Sequence, residues 1–133
     1  GVSIQMVIRG ICCLIPGVPG MSEHIEAISI VDKFLEHPRV FIFGNEGNPL
    51  VYISSADWMT RNIENRVEVG CPIYDSQVKQ ELIDTFEISW SDNVKGRMLI
   101  DTQQSPYRNN GAAPVRSQYA LYEYYQKKLT GSN

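Results

Sequence analysis

The chain has 133 residues, 43% hydrophobic and 20% charged, with a formal net charge of −3. That length supports one modest domain with a core of its own. The acidic balance excludes a general nucleic-acid or membrane-surface binder, which would carry a basic excess, but leaves room for a local basic pocket. Cys12, Cys13 and Cys71 are odd in number, two of them adjacent, and lack the C-x-x-C spacing of a zinc site. They read as reduced thiols in a cytoplasmic protein. No apolar run approaches the roughly 20 residues of a transmembrane helix, and no signal peptide is visible. Because the chain starts at Gly1 and runs straight into a strand-like segment, a piece of a longer protein is expected.

Residues 2–8 are apolar on both faces and read as a buried, central strand closed by Arg9 and Gly10. A second apolar stretch, 11–15, meets a loop at 16–20, where two prolines and two glycines interrupt any ladder or helix. Ser22 is placed to cap a short turn. A short strand is expected at 27–31, then paired strands at 40–43 and 50–54 across a turn at 44–49. Arg66, Val67, Glu68 and Val69 alternate and predict a further strand, with Arg66 and Glu68 on one face. After Pro72, Asp75 is a good N-cap for a helix carrying Val78, Leu82, Ile83 and Phe86 at helical spacing. Residues 94–100 suit one more strand and 101–114 a polar loop. A last helix is expected at 117–129, with an apolar stripe of Leu121, Tyr125 and Leu129, basic Lys127 and Lys128 in its last turn and Gly131 just beyond. Strands lead and helices follow, which gives one mixed α/β or α+β domain over 1–133.

Of the two histidines, His24 sits among acids in a loop and reads as a surface residue. His37 is placed differently. It stands at the mouth of an apolar run, with Arg39 two residues on, and if the strand begins by His37 the two side chains share a face. A hairpin would return Ser54, Ser55, Ala56 and Asp57 beside them. Imidazole can act as nucleophile or general acid/base near neutral pH, and guanidinium binds phosphate oxygens bidentately. Arg9, Arg39, Arg61 and Arg66 all lie near expected strand ends or turns. Neither a G-x-x-x-x-G-K-[ST] loop nor G-x-G-x-x-G is present, so a nucleotide would be held by side chains. Glu68 and Asp57 can help hold a magnesium ion bound mainly to nucleotide phosphates, though structural ion pairs explain both more readily.

Three blocks in order then resemble a known family. They are Ile8-Arg9-Gly10-Ile11-Cys12-Cys13-Leu14-Ile15-Pro16-Gly17, Ser29-Ile30-Val31-Asp32-Lys33-Phe34-Leu35-Glu36-His37 and Ser54-Ser55-Ala56-Asp57-Trp58-Met59-Thr60-Arg61-Asn62. They are similar to the C-terminal part of bacterial polyphosphate kinase of the histidine-phosphorylated type, and Arg66-Val67-Glu68-Val69 and Gln118-Tyr119-Ala120-Leu121-Tyr122 fit it too. The resemblance implies a phospholipase-D-like α/β fold, a mixed sheet flanked by helices. It implies reversible transfer of the terminal phosphate of ATP to inorganic polyphosphate with Mg²⁺. The phosphorylated histidine would lie on a preceding catalytic domain of the same chain, so this chain would be the second such domain and inactive alone. Carried over by position, His37 matches the second domain's active-site histidine, Arg9 an arginine at the nucleotide phosphates, and Glu68 an active-site glutamate. Arg39 takes the place of the lysine in the phospholipase-D His-x-Lys signature, and Ser55 with Asp57 that of its Gly-Ser-x-Asn segment, which puts phospholipase or nuclease activity in doubt. Arg61 joins them as a phosphate ligand. The implied partners are ATP or ADP, polyphosphate and the preceding domain, with no nucleic acid, and a homo-oligomer and membrane association of the cytoplasmic full-length enzyme stay open. So do two other readings, a dimeric phospholipase-D-like phosphodiesterase and a non-catalytic polyphosphate- or nucleotide-binding module.

Overall fold

The structure, a computed structural model, describes residues 1–100 and 105–131. Residues 101–104, the start of the expected polar loop, lie outside the described residues. The chain forms two compact units, one of Gly1–Glu36 with Glu87–Asn133 and one of His37–Phe86.

In the first unit, strands β1 (Ile4–Val7), β2 (Ile25–Ile30) and β6 (Gly96–Met98) form a three-stranded sheet in the order β1-β2-β6. The sheet is mixed, as expected of this α/β class: β1 runs parallel to β2 and β6 antiparallel to it. A parallel pair needs a long connection, and residues 8–24 supply it. Within them Ser22 closes the turn, its Oγ donating to Ile15 O (2.6 Å) and accepting from Val18 N–H (3.0 Å). The centre of the sheet is β2, whose Ala27 and Ile28 are buried. The segment 2–8 is therefore an edge strand among the described residues, not the central one its composition suggests. Val2 and Ile4 are exposed. Apolar side chains on both faces measure how much surface seeks cover, not which place in the sheet a strand takes.

The tail helix, α3 (Ser117–Thr130), has Lys127 and Lys128 in its last turn and the left-handed Gly131 (φ 64°) at its end, as its sequence predicts. Its anticipated apolar stripe does not form a buried face. Leu129 is 83% exposed and Tyr125 is exposed too, while the buried residues are the polar Ser117 and Gln118. Polar contacts fix the first turn of this helix. Ser117 gives both its N–H (2.8 Å) and its hydroxyl (2.7 Å) to Asp92 Oδ2. Asp92 Oδ1 in turn receives the N–H groups of Val94, Lys95 and Gly96 at 2.7–3.0 Å. Asp92 is fully buried. Burial pushes its carboxyl up, but the donors from Ser117, Lys95 and Gly96 outweigh that and hold it below the ordinary value.

In the second unit, β3 (Val40–Phe43), β4 (Leu50–Ser54) and β5 (Gly70–Pro72) form an antiparallel sheet in that order. The β3–β4 hairpin has the expected bounds, and its turn contains Asn45 and Glu46 at positive φ (42° and 54°). Opposite pairs are Val40–Ile53, Phe41–Tyr52, Ile42–Val51 and Phe43–Leu50. Val51 is buried, whereas Phe43 and Leu50 on the other face are exposed. That face forms an open apolar groove of about 550 Å³ lined by Phe41, Phe43, Leu50, Tyr52 and Trp58 among others, with Phe41 stacked on Trp58 (centroids 5.7 Å apart).

The strand expected at 66–69 is absent. A short helix, α1 (Thr60–Asn65), precedes the segment and β5 begins directly after it, at Gly70. Segment 66–69 instead spends the polar groups of Val69 on Ser55: Val69 N–H meets Ser55 Oγ (3.0 Å) and Val69 O accepts from Ser55 N–H (3.0 Å), while Val67 is fully exposed. Helix α2 (Ser76–Trp90) starts as expected, with Asp75 Oδ1 accepting from Gln77 N–H and Val78 N–H at 2.9 Å each. Among the described residues no helix is long and apolar enough to cross a membrane.

Candidate functional site

Six of the seven predicted site residues, His37, Arg39, Ser55, Asp57, Arg61 and Glu68, lie in the His37–Phe86 unit, and Arg9 lies in the other. Strand β3 begins at Val40, so His37 precedes it and does not open it. Pro38 accounts for this, since it has no N–H to give a ladder. The hairpin still extends one rung beyond β3, because Ser54 N–H donates to Arg39 O (2.9 Å). That rung carries the segment after β4 back beside Arg39 and His37. Ser54 Oγ accepts from Ala56 N–H (3.0 Å) and tightens the turn that presents Asp57.

The result is a cluster centred on one atom. Asp57 Oδ1 receives Arg39 Nε at 2.7 Å and lies 2.8 Å from His37 Nε2. The Arg39 guanidinium first, then the His37 ring, holds the Asp57 carboxyl well below the usual carboxylate range. An ionised carboxylate can only accept, so the proton on this side of the imidazole sits on Nε2. His37 is thereby oriented by Asp57 and keeps Nδ1 for other chemistry. Its side chain is 42% exposed, against 27% for Arg39 and 26% for Asp57. Arg39 reaches Asp57 through Nε, which leaves its terminal Nη groups as the donors a phosphate would take.

A second cluster stands around Glu68. Ser55 Oγ donates to Glu68 Oε2 in a short hydrogen bond, and Asn62 Nδ2 donates to Oε1 at 2.7 Å. These donors, Ser55 first, hold Glu68 below its ordinary value, and the positive charges of Arg66 and Arg39 add to the effect. Arg39 thus acts on both carboxylates. Asn62 is buried, and its Oδ1 has no hydrogen-bond partner. Arg61 is exposed on α1, and Arg9 is exposed just beyond β1. The sequence reading missed Asn62, which orients Glu68 from the first turn of a helix it did not foresee. It also missed that Asp57 joins the histidine to the arginine. The alternation of His37 and Arg39 together with the hairpin register was the available signal for the latter.

These residues do not build a protein cage for a magnesium ion. Asp57 and Glu68 are each committed to protein donors, and no group of three candidate metal ligands occurs among the described residues. The arrangement fits anionic oxygen ligands: guanidinium donors, an oriented imidazole and a carboxylate, Asp57, that keeps both in place.

Residues 1–118 match the family model described as "Polyphosphate kinase C-terminal domain 2". The polyphosphate kinase of Vibrio parahaemolyticus is 54% identical over 125 residues, covering 93% of this chain and 18% of that protein. That of Escherichia coli strain K12 is 48% identical over the same shares of each chain. The crystal structure of polyphosphate kinase from Porphyromonas gingivalis superposes with a TM-score of 0.91 at 43% identity, covering 96% of this chain and 20% of that one. The chain spans less than a fifth of the length of the two relatives. With its mixed α/β fold, the chain belongs to the polyphosphate kinase C-terminal domain 2 family.

Proposed function

We propose that this chain supplies one wall of the active site of an ATP:polyphosphate phosphotransferase, which moves the terminal phosphate of ATP reversibly onto inorganic polyphosphate. The observation that supports this most directly is the convergence of His37 and Arg39 on Asp57 Oδ1, within a chain of this family. Phosphoryl transfer asks a protein mainly for positioning and charge stabilisation. Arg39, Arg9 and Arg61 neutralise phosphate oxygens, and Glu68 and Asp57 hold the cluster's geometry. His37 Nδ1 exchanges a proton or a hydrogen bond with the group in transit while Asp57 holds the opposite ring nitrogen. The histidine that carries the phosphoryl group sits on a preceding catalytic domain of the same chain, which splits the transfer into two steps. Magnesium, held mainly by the nucleotide phosphates, would supply charge neutralisation there, and the work assigned to this chain is side-chain binding and orientation. The enzyme works in the cytoplasm.

The test is ATP-dependent polyphosphate synthesis by the full-length enzyme and by the isolated chain. His37→Ala and Arg9→Ala in the full-length enzyme each lower synthesis by roughly 10²-fold or more, the usual scale for a lost acid/base or charge-stabilising group. The isolated chain stays near background. Wild-type rates in both mutants, or robust turnover by the isolated chain, overturn the reading. Hydrolysis of a chromogenic phosphodiester by the isolated chain would favour a phosphodiesterase instead.

A further inference from the structure

His37 is the last residue but two of a long irregular stretch. Residues 31–39 belong to no helix or strand, and apart from the rung at Arg39 O no ladder holds the main chain that delivers the imidazole. Backbone polar groups in such a stretch still need partners, and here one side chain supplies them. Gln118 Oε1 accepts from Phe34 N–H at 2.9 Å, and Gln118 Nε2 donates to Phe34 O at 2.8 Å. The amide of Gln118 thus pairs with both polar groups of a single residue, as a neighbouring strand would. The same Nε2 lies 3.0 Å from Glu36 Oε2, on the residue directly before His37. Gln118 is 7% exposed and lies 84 positions along the chain from Phe34.

Its two predecessors hold it in register. Arg116 makes a two-point ion pair with Asp32, Nε to Oδ2 at 2.7 Å and Nη2 to Oδ1 at 2.6 Å. The Asp32 side chain is 2% exposed. Ser117 is fixed to the buried Asp92. The three residues at the start of α3 therefore bind, in order, the beginning of the irregular stretch, the buried carboxylate, and the main chain leading into His37.

We propose that Gln118 is a positioning residue for His37, acting by fixing the main chain of Phe34 and the side chain of Glu36. It touches neither substrate nor reacting atoms. Losing its amide frees the lead-in to the imidazole, and a displacement of about 1 Å at a reacting group can cost about 10²-fold in rate. This rests on the reading of His37 given above, and the experiment separates the two.

In the full-length enzyme, polyphosphate synthesis is measured for wild type, His37→Ala, Gln118→Ala and the double mutant. Gln118→Ala lowers kcat by about 10- to 100-fold and leaves KM for ATP within about twofold, because binding before the transition state is little changed. The double mutant is no slower than His37→Ala alone, since a residue acting through His37 has nothing left to position. A merely structural role predicts the opposite, an equal further loss in both backgrounds, and that result overturns the proposal. An unchanged kcat in Gln118→Ala overturns it too. A His37→Ala enzyme working at the wild-type rate removes the catalytic reading of His37 and this proposal with it. Should Gln118→Ala fail to fold, Gln118→Glu, which keeps the acceptor for Phe34 N–H and loses the donor, goes through the same cycle with the same criteria.

Discussion

Arg39 Nε lies 2.7 Å from Asp57 Oδ1, the oxygen that also meets the imidazole of His37. One carboxylate oxygen therefore sets the orientation of two side chains at once. A single neutral substitution at Asp57 should disturb both.

Asp57→Asn is nearly isosteric but offers the imidazole a neutral carbonyl or an amide donor in place of a charge. In the full-length enzyme we expect synthesis to fall by roughly 10²- to 10⁴-fold, the scale seen when a carboxylate that orients a histidine is neutralised. Steady-state kinetics of the purified variant check this, with the loss expected in kcat more than in KM.

Acid should destabilise the fold in a defined window. Asp32, Asp57, Glu68 and Asp92 all have carboxyls held below their ordinary values of 3.8 for aspartate and 4.5 for glutamate. A group whose folded pKa is depressed stabilises the fold above its unfolded value and loses that contribution as the pH falls through the folded one. Thermal unfolding temperatures should therefore be flat with respect to these groups down to about pH 4.5 and decline below it. Asp92→Asn should make that decline shallower.

Removing the buried carboxylate outright is more severe. Asp92→Ala leaves the N–H groups of Val94, Lys95, Gly96 and Ser117 without their acceptor. Each buried donor left unsatisfied costs about 1–3 kcal/mol, so a loss of several kcal/mol is expected. Calorimetry or urea unfolding reads it directly.

Gly96 is held to glycine by space and not by backbone angle. A Cβ there would lie 2.3 Å from Asp92 O, a backbone atom that cannot swing aside. Gly96→Ala should cost about 1–3 kcal/mol, as overpacking does, and the same unfolding experiment measures it.

The hairpin and both long helices were legible because their signals are local. The apolar run from Val40 to Phe43 before its turn, Asp75 before the first turn of α2, and Gly131 after α3 each speak within a few residues. The two-residue spacing of His37 and Arg39 pointed to one cluster, although His37 precedes β3 and Asp57 Oδ1 is what joins the two. Segment 66–69 misled because Arg66 to Val69 alternates like a strand while its groups are taken by Ser55 and Asn62. The fastening of α3 could not be read at all. Gln118 and Phe34 are 84 positions apart, and no periodicity marks a polar side chain that pairs with distant main chain. The anticipated Leu121–Tyr125–Leu129 stripe drew attention to the wrong end of that helix.

Asp92 has one further consequence. Its two oxygens serve sequence segments that lie 25 positions apart at their farthest, the 92–96 turn and Ser117. Neither the tight turn into β6 nor the first residue of α3 can be completed while the other is undone, because the shared acceptor would then sit half-filled in a dry site. Turn closure and helix docking thus become one cooperative event in folding. A chain cut just before Ser117 would lose far more than its last helix: amide hydrogens of Val94, Lys95 and Gly96, remote from the cut, should begin to exchange with solvent.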